Sequence, residues 1–161
     1  MAEKNSVERV RAALLAAGHE DTISAFPEGT RTAADAAAAI GCTVAQIAKS
    51  IVFRARGAHG ERAALVIASG VNRVDAGKVA AVLGVTLKRA DAEWVRAQTG
   101  FAIGGVSPVG HLLPPLLVFD RDLLALHPIF AAAGSPHHIF RTEAEALARI
   151  TGAAVAEVRE G

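Results

Sequence analysis

Two β-branched, apolar runs joined by a short glycine-bearing loop restrict the fold more than any other feature of this chain. QIAKSIVFRA passes from a short helical turn into a strand, RGAHGER follows with Gly57 and Gly60, and AALVIAS at Ala63 to Ser69 forms a second strand. Strands separated by a loop of this kind pair as a hairpin. The remaining short helices and strands alternate without the regular β-α-β rhythm of a doubly wound fold. The expectation is therefore α+β, with a mixed sheet that curls towards a barrel.

Local signals place the helices. Ser6 can cap a helix to about Ala17, with Val7, Val10 and Leu14 at helical spacing and Gly18 as the stop. A short strand is expected near Thr22 to Phe26. Thr32 and Asp35 form a capping-box pattern for a helix closed by Gly41, and Asp75 caps a helix to Leu83 that Gly84 closes. VTLKR reads as a strand, Asp91 caps a helix carrying Trp94 and Val95, and LLVFD is a strand ending at Asp120. IFAAAG and HHIF are short apolar pieces. Thr142 and Glu145 suggest a second capping box before a helix to about Ile150, and AAVAEV closes the chain.

Composition narrows the function classes. A chain of 161 residues fits one domain, expected to span residues 1–161. It is 52% hydrophobic but only 4% aromatic, so packing rests on Ala, Val, Leu and Ile. Formal net charge is +1, with acidic and basic residues interleaved, which argues against general DNA binding while leaving room for contact with one end of an RNA. MAEKNSVERV lacks the apolar core of a signal peptide, and no apolar window approaches the roughly 20 residues of a membrane helix. A soluble, cytoplasmic protein without membrane contact is expected. Cys42 is the single cysteine, which excludes an internal disulfide and a cysteine-based zinc cluster, and it reads as a small, half-buried apolar residue.

GFAIGGVSPVGHL, Gly100 to Leu112, reads as a buried strand interrupted by Gly104, Gly105, Pro108 and Gly110. Glycine allows close main-chain approach and proline fixes φ, so the run looks built to present backbone. Ser107 invites comparison with a G-x-S-x-G nucleophile elbow, but the second glycine is displaced by one residue. The elbow also takes an oxyanion donor from the amide after the serine, and Pro108 has none. The serine is better read as bonding locally or facing a ligand. No G-x-G-x-x-G or G-x-x-x-x-G-K-[ST] occurs, so no nucleotide-cofactor motif is present. His137 and His138 are neighbours on a strand and point to opposite faces, which disfavours a metal site. Lys49 shares a strand face with Ile51 and Phe53, and the face carrying Ser50, Val52 and Arg54 looks wetter. A lysine opening the drier face either meets an anionic or dipolar partner or snorkels to solvent and nearby carbonyls; the pattern leaves both open.

IGCTVAQIAKSIVF, SGVNRVDAGKVAAVLG, TGFAIGGVSPVGH and AAAGSPHHIF together resemble the YbaK family, the prolyl-tRNA synthetase-associated editing domains, over about Pro27 to Val158. The resemblance implies a mixed, partly barrel-like sheet flanked by helices. It also implies a free-standing hydrolase of mischarged aminoacyl-tRNA, typically tRNA for proline carrying a smaller amino acid, with no metal and no cofactor. Lys49 falls on the family lysine, whose cation would contact phosphate, ribose or ester oxygen at the CCA end. Gly104, Gly105, Val106, Ser107 and Pro108 fall on the glycine-to-proline loop. There Gly104 and Gly105 would supply amides, and the loop as a whole would hold the terminal adenosine and aminoacyl group. Water attack assisted by the tRNA's ribose hydroxyl is the family's proposed chemistry. Gly134, Ser135 and His137 would line the amino-acid side, with His138 as rival to His137. The implied partners are the aminoacyl-tRNA CCA end and prolyl-tRNA synthetase. The alternative is a non-catalytic module that binds the same RNA end or a synthetase.

Overall fold

A computed structural model describes residues 2–161 except 31 and 59. His59 of the expected hairpin loop therefore lies outside the described residues. Three helices start and stop on local chemistry. Thr32 accepts from the Asp35 amide ahead of α2 (Ala33–Ile40). Asp75 accepts from Gly77 and Lys78 ahead of α3 (Ala76–Leu83). Asp91 accepts from Trp94 ahead of α4 (Ala92–Thr99), and each helix ends on a left-handed glycine. Each such cap satisfies amides that lack intrahelical partners and contributes about 1 kcal/mol.

Two expected caps are corrected. Helix α1 (Ala2–Ala16) begins before Ser6, whose buried hydroxyl instead donates to the Gly134 carbonyl at 2.8 Å. Helix α5 (Ala144–Thr151) starts from Glu143 without a side-chain cap, because Thr142 Oγ1 is engaged 2.8 Å from His19 Nε2. Both hydroxyls are buried, so a partner on another element serves them.

The strands are β1 (Ile23–Ala25), β2 (Ile47–Gly57), β3 (Gly60–Ser69), β4 (Thr86–Arg89), β5 (Leu116–Asp120), β6 (Ile129–Ser135), β7 (His138–Thr142) and β8 (Ala154–Ala156). They form one mixed sheet in the order β1-β7-β6-β2-β3-β5-β8, with β4 added to β2. β2 and β3 make the expected antiparallel hairpin, in register from Ala48 opposite Ser69 to Gly57 opposite Gly60. The pairs β2/β6, β3/β5 and β5/β8 are parallel.

Both faces of the sheet are covered. Leu65, Ile67 and Phe119 pack with Val10 and Leu14 of α1, Val95 of α4 and Leu147 of α5, whereas Val66, Ala68 and Val118 pack with Val79 of α3 and Val158. The expectation of one dry and one wet face on β2 is corrected accordingly. Val52 packs against the larger cluster and Ile51 and Phe53 against the smaller.

The edge of β2 away from β3 has two partners. β6 runs parallel along Ile47 and Ala48, and β4 runs antiparallel along Phe53 to Arg56. Between them, among the described residues, Lys49 to Val52 has no strand on that edge. The Gly100–Leu112 stretch is a further correction, since it is an irregular loop between α4 and β5 and not a strand. Its apolar character reflects burial beneath other elements: Phe101, Val106 and Ser107 are all buried.

Candidate functional site

The split in the sheet makes the site. The start of α2, a turn around Ile103–Val106, and Ala132 and Ile139 of β6 and β7 converge on the open edge beside Lys49, enclosing a cavity of about 280 Å³. Lys49 is half-buried in its wall, and Nζ donates to the Gly70 carbonyl at a long 3.4 Å. Burial pushes the ammonium pKa below its ordinary value, with the negative charge of Asp120 opposing the shift. Asp120 is itself buried and accepts from the Ser69 amide at 3.0 Å and Asn72 Nδ2 at 2.8 Å. An ammonium has three donors, and one distant carbonyl leaves Lys49 with capacity for an oxygen-rich ligand.

Ala102 to Gly105 form a turn closed by the Gly105 amide donating to the Ala102 carbonyl at 3.0 Å. Gly104 stands third, with φ of +93°, the value that a type II turn demands and a side chain resists. Gly104 and Val106 line the cavity with Lys49. Among the described residues, the amides of Gly104 and Val106 make no hydrogen bond. Gly105 serves differently. Its amide is consumed by the turn, and a Cβ there would meet Ser135 main-chain atoms at 2.6 Å.

Ser107 is fully buried, its Oγ accepting from the Val109 amide at 3.1 Å and its carbonyl lying 2.6 Å from His111 Nε2. Neither Ser107 nor Pro108 lines the Lys49 cavity. Gly134 and Ser135 border a separate cavity of about 240 Å³ with Arg96 and Gly100. Ser135 Oγ accepts from the His137 amide at 2.9 Å and lies 2.6 Å from His138 Nδ1, while His137 Nδ1 lies 3.3 Å from the Phe26 carbonyl. Of the anticipated residues, Lys49, Gly104 and Val106 therefore come together; Ser107, Pro108, Gly134, Ser135 and His137 stand outside that cavity, and Gly105 packs behind it.

Several lining residues escaped the sequence reading. Thr32 was legible only as a helix cap, and Ala33, Ala36, Ala132 and Ile139 as ordinary core. Ile103 carried a signal: an isoleucine before two glycines, 54% exposed at the cavity rim. Ser50 lines the wall with a buried Oγ that, among the described residues, has no hydrogen-bond partner.

Helix α1 holds the loop in place. Arg9 Nε donates to the Gly110 carbonyl at 2.8 Å and Nη2 to the Gly100 carbonyl at 3.0 Å, with the guanidinium 4.8 Å from the Phe101 ring centre. A Cβ on Gly134 would stand 2.7 Å from the Ser6 carbonyl oxygen. Much of the glycine that seemed arranged for a ligand is arranged for this helix.

Among the described residues no cluster of three or more His, Cys, Asp or Glu is placed to hold a metal, and no helix is long and apolar enough to cross a membrane. What the fold and cavity define is a small mixed-sheet domain shared with solved structures. One, described as a candidate trans-editing enzyme for prolyl tRNA synthetase, is 44% identical with a TM-score of 0.87, covering 97% of this chain and 98% of its own. Another, a scaffold from work on epitope backbone grafting by computational design, is 42% identical with a TM-score of 0.89 and the same coverage. The uncharacterized protein YwhH of Bacillus subtilis (strain 168) is 31% identical over 130 residues, 81% of each chain. Residues 27–150 match the aminoacyl-tRNA editing domain model, and the chain belongs to that family.

Proposed function

We propose that the protein is a trans-editing deacylase that hydrolyses the ester of mischarged aminoacyl-tRNA, with tRNA for proline carrying a small non-cognate amino acid as substrate. The observation that supports this reading is that Lys49, Gly104 and Val106 line one cavity, with the amides of Gly104 and Val106 unbonded among the described residues. Its walls include Ala33, Ala36, Ala48, Ala132 and Ile139, an apolar lining that suits an uncharged aminoacyl group. Family membership supplies the substrate class, and the neighbour described for prolyl tRNA synthetase supports the choice of tRNA.

The chemistry needs no protein nucleophile. Water, assisted by the ribose hydroxyl beside the ester, attacks the carbonyl carbon, and the oxyanion that develops is received by the free amides. The bond to the ribose oxygen then breaks, that oxygen takes a proton, and amino acid and tRNA separate. Each preorganised donor of this kind is worth about 2.7–4 kcal/mol in the transition state. Lys49 steadies negative charge on ester or phosphate oxygen, and the cavity walls orient the ester.

The test is to incubate the protein with tRNA for proline charged with alanine, serine, threonine, cysteine or 2-aminobutyrate and follow ester loss against a Lys49→Ala control. Consumption of at least one ester by the wild type, lost in the variant, is expected. Protection of every charged tRNA, or an unchanged rate in the variant, would overturn the reading.

A further inference from the structure

β2 begins at the cavity and ends in a concentration of positive charge. Arg54 and Arg56 stand two residues apart on one face, and Lys88 of β4 lies directly opposite Arg54 in the antiparallel register. Like charges placed opposite one another on a sheet are destabilising by themselves. One carboxylate, Glu61, serves all three. It bonds Arg54 Nη2 at 2.7 Å, and this bond, with the fields of Arg54, Arg56 and Lys88, holds its carboxyl below the usual range. Asp91 lies within the field of Arg54 but is committed to capping α4. Arg54 is further fixed over the Trp94 ring, 4.9 Å from its centre. Arg56 and Lys88 are exposed and, among the described residues, bond no carboxylate.

We infer that this end of β2 and β4 is an RNA-contact face, on which Arg56 and Lys88 take phosphates of the acceptor strand a few nucleotides from the end held in the Lys49 cavity. The inference rests on the editing reading above. At about 3.3 Å per residue, Arg54 and Arg56 lie roughly 17 and 23 Å along the strand from Lys49, a span that a few nucleotides of RNA bridge. By the alternation of β2, Arg54 and Arg56 lie on the face opposite Lys49, so the RNA crosses the open edge of β2 between them; Trp94 and Val106 belong to the same packed cluster, which puts the cations on the side of the sheet that carries the Ile103–Val106 turn at that edge. The chain's small net charge is no obstacle, because only a local surface is engaged.

The experiment compares the wild type with an Arg56→Ala/Lys88→Ala double variant on full-length mischarged tRNA and on the matching aminoacyl-adenosine. Arg54 is left intact because it ties Glu61 and Trp94. For full-length tRNA, KM should rise about tenfold with kcat unchanged, the loss of one to two charge-assisted contacts. The slope of log kcat/KM against log salt should fall by about 1 for each phosphate contact removed. Aminoacyl-adenosine should be hydrolysed equally by both proteins. An unchanged KM and salt slope overturns the inference, and if the variant then also aggregates, the cations are guards of the β4 edge. Equal losses on both substrates overturn it as well, because they report damage to the cavity. Should the wild type consume neither substrate, the editing reading fails separately. Filter binding of uncharged tRNA then decides the face: a weaker, less salt-sensitive variant supports it and an identical one refutes it.

Discussion

His111 shows how a single side chain can report the state of the loop. Its Nε2 lies 2.6 Å from the Ser107 carbonyl, so the ring must carry its proton there, while buried Nδ1 has no partner among the described residues. Burial pushes its pKa below 6.5, the nearby Arg9 charge adds to the shift, and the Ser107 bond opposes it. The unfolded chain therefore binds more protons than the folded one between the depressed value and 6.5, and stability falls as pH drops through that window. Thermal melts from pH 8 to pH 5 should show a decline below about 6.5 that is shallower in a His111→Gln variant, which keeps a donor without the titration; parallel profiles would refute this. Ser107 bonds locally, in line with its sequence context, whereas the Gly105 amide is used within the turn and the glycine itself is required by packing. Ser107→Ala loses one local hydrogen bond, about 1 kcal/mol, and should keep most of its deacylation rate. Gly105→Val must drive a side chain into the Ser135 backbone and should abolish both rate and cooperative melting. Pro108 made the serine an unlikely nucleophile from sequence alone; that Gly105 is a packing glycine was hidden, because Ser135 is distant in the chain.

Helices were legible to the extent that their ends are local. Thr32, Asp75 and Asp91 each bond an amide within three residues, and that chemistry is written in adjacent letters. Ser6 and Thr142 have the same side-chain chemistry but answer to Gly134 and His19, partners that only the fold supplies. The apolar pattern of Gly100–Leu112 does not separate loop from strand, because an irregular segment buried under a helix is as apolar as a strand. That helix, α1, acts on the site through Arg9, whose planar fork spans two loop carbonyls. Arg9→Ala should lower kcat for a mischarged tRNA by up to about 100-fold, the cost of a misplacement near 1 Å, with a smaller change in KM. Arg9→Lys should recover little, since one ammonium cannot reproduce the two-pronged geometry. Deacylation kinetics and melting temperature measured on both variants decide it: a loss of stability with kcat intact would make Arg9 structural alone.

The split sheet depends on pairings such as Ile47 with Phe130 and Phe53 with Arg89, which no local pattern announces. The hairpin could be read because its strands adjoin; the gap that makes the cavity could not. A related consequence concerns the family match, which begins at residue 27 although the core does not. Val10 and Leu14 are fully buried in the largest cluster and Val7 is nearly so, while Ser6 and Arg9 bond the carbonyls of Gly134, Gly100 and Gly110. Burying three such side chains contributes about 5–9 kcal/mol, against a net stability of about 5–15 kcal/mol for an ordinary domain. β1, which borders β7, would be lost as well. A chain starting at Pro27 should therefore lack a cooperative thermal transition at neutral pH while retaining part of its far-ultraviolet circular dichroism. A sharp melt in that truncated protein, within a few degrees of the full chain, would show that α1 contributes little to the fold and that the Arg9 contacts are dispensable to it.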